Sequence, residues 1–378
     1  MKIVAKTLFG LEQVLADELR SLGAEQVTCL NRAVSFNGDT KLLYKVNYCC
    51  RTALSFLVQL SEFRIRTKED LYKGASKIPW DAFFTENNTI SVVPVVNSTL
   101  FDHTGYPALV VKDAIADFFR KRTGSRPSVG LTNPDIIINV HISNDLAAIS
   151  IDSSVISLFK RGYRMDQLEA PINEVLAAGI IKISGWDATV PLIDPMCGSG
   201  TIPIEAAMMA SEIPAGKFRR FFGFQNWKNY NIDLFEEVRR EADSAIVIPA
   251  VSISGSDISA EAVNIARVNA EKAGISDIVS FTECDFSSQR HNDNPVLLIL
   301  NPPYGQRMQP AELDALYWII GSTLKHGFAG STAWIISSSP EALKNIGLKP
   351  AGKFMLYNGS LECRLHKYVM YAGTKKTG

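Results

Sequence analysis

The chain has few residues of the kinds that bind metals or form disulfides. Six cysteines and five histidines occur in 378 residues. No two cysteines form a Cys-x-x-Cys pair, and none has a histidine at the spacing of a zinc site. The sequence therefore indicates neither a metal centre nor a disulfide framework.

Long apolar runs and an excess of one charge are also absent. No uninterrupted apolar stretch is long enough to span a membrane, and the first residues, Met1–Lys6, lack the apolar core of a signal peptide. We therefore expect a cytoplasmic protein with no membrane partner. The 39 basic and 39 acidic side chains cancel, so any nucleic acid has to meet a local basic patch.

The second half of the chain alternates short apolar runs with amphipathic stretches, which is typical of parallel strands joined by crossover helices. The predicted strands are Val190–Asp194, Val251–Asp257, Val279–Cys284, Val296–Leu300, Thr332–Ser337, Lys353–Leu356 and Leu365–Tyr371. The predicted helices are Thr201–Ser211, Asp233–Ile246, Ala260–Ala273, Ala311–His326 and Pro340–Ile346. The pattern predicts an α/β, Rossmann-like, doubly wound sheet. Its last strand should be antiparallel, because the final connection is too short for a crossover helix.

The first half has a different, α+β pattern of small units. Predicted helices at Leu11–Leu22, Thr40–Cys49, Lys68–Lys73 and Pro107–Thr123 are separated by strand-like runs such as Thr89–Val95 and Ile136–Ile142. A break near Ser61–Arg66 would divide this half into two small domains. A charged segment with a glycine and a final proline, Leu158–Pro171, is the predicted linker to the second half.

A glycine-rich turn follows the first strand of the second half, in Asp194-Pro195-Met196-Cys197-Gly198-Ser199-Gly200-Thr201. Gly198 and Gly200 allow a tight turn and a close approach of a ligand at the carboxyl end of a parallel strand. Asp194 could face the ammonium group of the methionine moiety of S-adenosylmethionine (SAM). The turn alone is equally compatible with a dinucleotide.

Two acidic residues at later strand ends favour SAM over a dinucleotide. Asp257 ends the second strand, where a carboxylate can accept both ribose hydroxyls of an adenosyl ligand. Asp285 follows the third strand, where it can accept the adenine amino group while Phe286 covers the ring. Each acid alone is equally explained as a helix N-cap, but the three strand ends together match methionine, ribose and adenine.

The fourth strand ends in Asn301-Pro302-Pro303-Tyr304, which points to the atom that is methylated. An exocyclic amine is a poor nucleophile because its lone pair is delocalised into the ring. The Asn301 side-chain oxygen and the Pro302 carbonyl can accept its two N–H groups, and the Pro-Pro sequence makes the turn rigid. Tyr304 offers a ring on which an extruded base can stack. We therefore predict methylation of a base amine, with no metal and no covalent nucleophile.

These motifs resemble those of the amino-methyltransferases among class I SAM enzymes, with Asp194–Thr201 as motif I and Asn301–Tyr304 as motif IV. The resemblance implies that motif I, from Asp194 through Pro195, Met196, Cys197, Gly198 and Gly200 to Thr201, holds the methionine end. It also implies that Asp257 and Ile258 meet the ribose, that Asp285 and Phe286 meet the adenine, and that Asn301 borders the cofactor. The segment Ala170–Glu174 looks like motif X, which closes over the cofactor.

The chain also resembles the THUMP-containing branch of that family, in particular the bacterial 23S rRNA guanine-N2-methyltransferases. Ile136–Ser153 resembles the end of a THUMP domain, Lys160–Arg164 the KRGYR linker of the family, and Phe224–Trp227 its aromatic element; Ser154–Phe159 departs from the usual pattern. The resemblance implies a ferredoxin-like domain at residues 1–63, a THUMP RNA-binding domain at 64–157, a linker at 158–171 and a SAM-dependent methyltransferase domain at 172–378.

Local basic clusters are the expected contacts to RNA. The candidate contacts are Lys121, Arg122, Arg126, Lys160, Arg161 and Arg164. The expected reaction is methyl transfer to the N2 amine of a guanine in 23S rRNA. The alternatives are an adenine-N6-methyltransferase acting on DNA or RNA, a tRNA guanine-N2-methyltransferase, and an RNA-binding ribosome assembly factor without enzymatic activity.

Overall fold

The computed structural model describes residues 1–130, 132–164, 172–291, 294–303 and 309–371. The chain forms two compact units. The first comprises Met1–Thr7, Ala16–Leu158 and Arg219–Arg240, and the second comprises Leu8–Leu15, Phe159–Phe218 and Glu241–Gly378. No helix among the described residues has the length and apolar character needed to cross a membrane.

An eight-stranded mixed sheet forms the first unit, in the order β2-β3-β1-β4-β8-β7-β5-β6. Its strands are β1 (Lys2–Lys6), β2 (Glu25–Leu30), β3 (Ala33–Asn37), β4 (Ser55–Arg64), β5 (Thr89–Asn97), β6 (Ser128–Val129), β7 (Ile136–Ser143) and β8 (Leu146–Asp152). The helices of the first half of the chain are α1 (Glu12–Leu22), α2 (Thr40–Cys49), α3 (Lys68–Ser76) and α4 (Tyr106–Thr123). Every second residue of β7, namely Ile136, Ile138, Val140 and Ile142, is fully buried and lies on the core face.

The sheet continues into the region where the sequence predicted a break, with one shift of register between Gln59 and Ser61. β4 pairs antiparallel with β8 from Leu57, opposite Asp152, to Arg64, opposite Leu146. The predicted division near Ser61–Arg66 falls at the end of β4. Strands from both sides of it therefore share one ladder of hydrogen bonds.

The segment Arg219–Arg240 belongs to the first unit, which differs from the uninterrupted catalytic domain expected over residues 172–378. Its aromatic side chains explain this placement. Phe224 packs against Tyr44 of α2 with ring centroids 4.4 Å apart, and Phe235 packs against Tyr44 at 5.7 Å. The Tyr44 hydroxyl also accepts a hydrogen bond from the backbone N–H of Asn231 at 3.1 Å.

A seven-stranded sheet forms the second unit, in the order β11-β10-β9-β12-β13-β15-β14. Its strands are β9 (Leu192–Asp194), β10 (Ile253–Asp257), β11 (Val279–Glu283), β12 (Leu297–Leu300), β13 (Thr332–Ser337), β14 (Gly352–Asn358) and β15 (Leu361–Val369). The helices of the second half of the chain are α5 (Glu174–Ser184), α6 (Thr201–Ala210), α7 (Ile232–Asp243), α8 (Ala260–Lys272), α9 (Pro310–Gly327) and α10 (Pro340–Lys344). The predicted doubly wound sheet is confirmed. β15, the last strand in sequence, pairs antiparallel with both β13 and β14.

The order of the parallel strands determines where a ligand can bind. β9 pairs with β10 on one side and with β12 on the other, so the strand order reverses between β9 and β12. Doubly wound sheets bind ligands at the carboxyl ends of the strands beside such a reversal. The glycine turn and the Asn-Pro-Pro sequence follow these two strands directly. α5 and α6 are buried along most of their length and are apolar on nearly all sides.

Candidate active site

The glycine turn after β9 depends on two residues in the left-handed backbone region. Gly198 has φ +51° and Gly200 has φ +82°, a conformation that other residues adopt only with strain. The Gly200 N–H donates to the carbonyl of Cys197 at 2.8 Å, and Gly200 precedes the first residue of α6. The chain thus leaves the strand and enters the helix within six residues.

The two glycines should respond differently to a methyl group. A Cβ at Gly200 would lie 2.9 Å from Cβ of Ala266 and 2.9 Å from Cζ of Phe281, whereas a Cβ at Gly198 meets nothing within 4 Å. Gly200→Ala should lower the free energy of unfolding by about 2–4 kcal/mol, from backbone strain plus overpacking. Gly198→Ala carries the strain alone and should cost about 1 kcal/mol. Urea unfolding of both variants checks this, and equal losses would contradict it.

Two carboxylates flank the turn. Asp194 is 1% exposed and accepts a hydrogen bond from the Met196 N–H at 3.1 Å. Burial raises its pKa well above the ordinary range, and the nearby Asp257 carboxylate raises the pKa further. Asp257 accepts from the backbone N–H groups of Gly198, at 2.9 Å, and Ser259, at 3.0 Å. A ligand cation beside Asp194 would stabilise its charged form.

The other predicted residues of motif I lie in or beside the turn. Cys197 is buried and its N–H donates to the Ser256 carbonyl at 2.8 Å. Burial raises the pKa of its thiol, and the two neighbouring carboxylates add to the shift, so this thiol is an unreactive apolar contact. Pro195 is buried, and Met196 is partly buried against the core of the sheet.

The residues predicted to meet the adenosyl group divide into exposed and buried ones. Ile258 is 72% exposed beside Asp257, and Asp285 is also exposed, where its carboxylate accepts the Ser287 N–H at 2.8 Å. The structure corrects the prediction for Phe286. Its side chain is 3% exposed and packs in the core against Phe328, with ring centroids 5.7 Å apart, so the ring does not stand open to cover an adenine. The apolar surface of Phe286 is instead used to fill the space beside α9.

Asn301 follows β12 directly and carries the most informative atom of the site. Its side-chain oxygen is buried and has no hydrogen-bond donor among the described residues. A buried acceptor without a donor costs on the order of 1–3 kcal/mol, which is typical of positions that a ligand completes. Pro302 is buried beside it and Pro303 is half-buried. The predicted stacking residue, Tyr304, lies outside the described residues.

Arg161 was predicted to contact RNA, and the structure contradicts this. Its side chain is 1% exposed and forms an ion pair with Glu205 of α6, which is fully buried, with Nε 3.3 Å from Oε1. The Tyr163 hydroxyl donates to the same carboxylate at 3.1 Å. The physical reason is that an acid inside an apolar helix requires a cation partner. Glu205 within the apolar stretch Thr201–Ala210 was the sequence signal for this pairing.

Arg164, a second residue of the predicted RNA-binding set, also turns inward. Its Nε lies 3.2 Å from Glu174 Oε1, and its side chain is 18% exposed. Its Nη2 donates to the hydroxyl of Thr201 at 2.5 Å and to the carbonyl of Ile172 at 2.9 Å. This corrects the assignment of Arg164 to an RNA surface and brings it to the first residue of α6.

Glu174 should make stability depend on pH near neutrality. Burial raises its pKa from 4.5 to about 7, an effect that the nearby Arg164 partly offsets. The folded protein then holds a proton that the unfolded chain releases, so stability falls as pH rises from about 5 to 8. The loss is on the order of 2–3 kcal/mol, since a tenfold change in proton affinity is about 1.4 kcal/mol.

The variant Glu174→Gln isolates this contribution because other buried acids titrate equally in both proteins. Urea unfolding at several pH values should show the wild type losing stability relative to the variant as pH rises through 7. A constant difference between the two proteins across this range would contradict the assignment.

The remaining basic candidates are on the surface. Lys121, Arg122 and Arg126 are exposed at and after the end of α4, and Lys160 is exposed as well. Arg122 forms an ion pair with Asp81 and lies over the ring of Phe118. Among the described residues, no group of three or more side chains has the arrangement of a metal site.

The sequence matches three family models, in the same order as the predicted domains. They are the RlmL ferredoxin-like domain over residues 2–54, the THUMP domain over residues 66–152 and the RMKL-like methyltransferase domain over residues 161–367.

Similar proteins cover nearly the whole chain. A ribosomal RNA large subunit methyltransferase K/L of Syntrophotalea carbinolica is 36% identical over 97% of this chain, which spans about half, 53%, of that relative's length. A protein of Synechocystis sp. named as a candidate RNA methyltransferase is 36% identical over 96% of this chain and 95% of its own length. A solved candidate methyltransferase in complex with S-adenosylhomocysteine (SAH) has a TM-score of 0.88 and 32% identity, covering 99% of both chains.

Proposed function

Because the chain belongs to the RMKL-like methyltransferase family, we propose that it transfers a methyl group from SAM to the exocyclic N2 amine of a guanine in large-subunit ribosomal RNA. The family membership makes it a SAM-dependent methyltransferase. The target base and the target RNA are the proposed part.

The residues at the glycine turn fit this cofactor. Asp194 is a buried carboxylate with no ion-pair partner among the described basic side chains, as expected of a group that receives the ammonium of a methionine moiety. Asp257 and the exposed Ile258 offer a carboxylate and an apolar surface at the next strand end, for the ribose and its neighbouring ring. Asp285 follows the third strand, β11.

The unpartnered oxygen of Asn301 carries the proposal for an amine acceptor. Bound SAM supplies an electrophilic methyl group attached to a sulfonium sulfur. The protein has to hold the amine and direct its lone pair, and Asn301 Oδ1 with the Pro302 carbonyl can accept the two N–H groups. The ring of each proline fixes its backbone φ angle, so this turn loses little conformational freedom when it binds a base. Positioning of this kind supplies most of the acceleration.

The first half of the chain supports RNA as the substrate. The THUMP match covers residues 66–152, and both curated relatives are named as RNA methyltransferases. In this proposal the exposed basic side chains Lys121, Arg122, Arg126 and Lys160 contact the RNA backbone, and Tyr304 stacks on the extruded base. Guanine is preferred over adenine because Ile136–Ser153 and Lys160–Arg164, in the first half of the chain, resemble the bacterial 23S rRNA guanine-N2-methyltransferases.

The decisive experiment is methylation in vitro with isotopically labelled SAM. The purified protein is incubated with unmodified large-subunit rRNA, small-subunit rRNA, tRNA and duplex DNA, and the products are digested to nucleosides and analysed by mass spectrometry. The proposal expects label in N2-methylguanosine from large-subunit rRNA. Label in N6-methyladenosine, in DNA or only in tRNA would overturn it. SAH binding without methylation of any substrate would favour an assembly factor.

A further inference from the structure

The guanidinium group of Arg164 is held at the start of α6 by three separate contacts. Nε pairs with Glu174, and Nη2 donates to the Thr201 hydroxyl and the Ile172 carbonyl, at 2.5 and 2.9 Å. The third nitrogen, Nη1, has no acceptor among the residues that the structure describes. A rigidly held guanidinium with one unused edge is suited to binding an anion.

The position of this cation relative to the glycine turn is set by Thr201. Thr201 is the first residue of α6 and follows Gly200 directly, and its side chain is 2% exposed. The N-terminus of α6 has no side-chain cap, and Pro203 contributes no N–H there. The free N–H groups and the helix dipole therefore add positive potential beside Arg164.

Charges on the two sides of the turn are opposite. Asp194 and Asp257 lie at the strand ends, and Arg164 lies at the helix start. The methionine moiety of SAM is a zwitterion, so it needs an anion for its ammonium and a cation for its carboxylate. Glu174 offsets the positive potential beside Arg164 only in part, because burial raises the pKa of Glu174 to about 7.

We propose that Arg164 binds the carboxylate of the methionine moiety of SAM through Nη1, while Glu174 and Thr201 hold its guanidinium in place. This inference rests on the proposed function, since it assumes that the turn binds SAM. It replaces the RNA contact that the basic sequence Lys160–Arg164 suggested.

The test compares two ligands that differ only in the carboxylate. SAH carries it, and decarboxylated SAH retains the adenosine, the thioether and the amine. Calorimetric titration of the wild-type protein should show SAH binding about tenfold or more tighter, as expected of a hydrogen bond to a charged group. In Arg164→Gln the two ligands should bind within about twofold of each other, because only the SAH affinity falls.

Arg164→Lys is the control variant. It keeps the charge without the planar guanidinium and should show an intermediate preference for SAH. Equal weakening of both ligands in Arg164→Gln would make Arg164 a purely structural residue. Failure of the wild type to bind SAH at all would instead contradict the proposed function itself.

A second variant covers the case in which Arg164→Gln does not fold. Glu174→Gln removes the negative charge beside the guanidinium of Arg164, a charge that Glu174 largely carries at pH 8. SAH should then bind several-fold tighter than to the wild type, with the affinity for decarboxylated SAH unchanged. An unchanged SAH affinity in this variant would overturn the proposal.

Discussion

Replacing Asn301 with alanine should lower the rate of methyl transfer by about two or more orders of magnitude and leave the affinity for SAM within a few-fold. The buried side-chain oxygen has no donor among the described residues, so it is free to accept one from the substrate amine. In the proposed mechanism its partner arrives with the substrate, and the hydrogen bond strengthens as the amine becomes the attacking nucleophile. Loss of an interaction made mainly in the transition state lowers kcat far more than it changes ligand binding.

The conservative replacement Asn301→Asp is the matched control for this prediction. It keeps an acceptor at the same position, so it should retain more activity than Asn301→Ala. Single-turnover kinetics with saturating RNA, together with SAH titration by calorimetry, separates the two effects. A large loss of SAH affinity in Asn301→Ala would show that Asn301 acts chiefly on the cofactor.

Replacing Glu205 with alanine should destabilise the protein by about 3–5 kcal/mol, because it leaves the guanidinium of Arg161 buried without its carboxylate. Both side chains are almost inaccessible, at 1% and 0% exposed. Arg161 donates to the two carboxylate oxygens at 3.3 and 3.4 Å, and the Tyr163 hydroxyl donates at 3.1 Å. All three donors lose an acceptor in one step.

A double-mutant cycle distinguishes this pairing from simple loss of volume. Arg161→Met combined with Glu205→Leu removes both charges and keeps apolar bulk, so it should be much less destabilising than the sum of the single replacements. Urea unfolding of the three variants measures the coupling. Additive effects would mean that the two side chains contribute independently.

Much of the catalytic half could be predicted from sequence because its pattern is strong. The strand at Thr332–Ser337 was predicted to the residue, and the helices starting at Thr201, Ala260 and Pro340 begin where expected. These segments combine clear hydrophobic periodicity with N-caps and turns, such as Ser259 before α8, whose hydroxyl accepts the Ala262 N–H at 3.3 Å.

Burial of individual side chains was harder to predict. Arg161 and Arg164 have the composition of an RNA-binding linker, yet both face buried acids on the helices α5 and α6. Phe286 was predicted to cover the adenine, yet its ring lies in the core. Local sequence gives the residue type, whereas the direction of a side chain depends on neighbours from other elements.

The antiparallel pairing of the last strand was predicted from sequence, but its position in the sheet was not. The short connection between β14 and β15 indicated a hairpin and therefore an antiparallel pair. It did not indicate that β15 inserts beside β13 and leaves β14 at the edge. Hydrogen-bond partners between strands that are distant in sequence leave little trace in the periodicity of either strand.

The continuous pairing of β4 with β8 also bears on how the first unit can be divided. Expressing residues from 66 onward alone would remove β4, one of the two strands paired with β8, and expose an open sheet edge, which favours self-association. The interval between residues 54 and 66, which separates two family models, is thus a border between sequence families. Cooperative melting of the sheet should cross that border in one transition, because both sides share the same ladder.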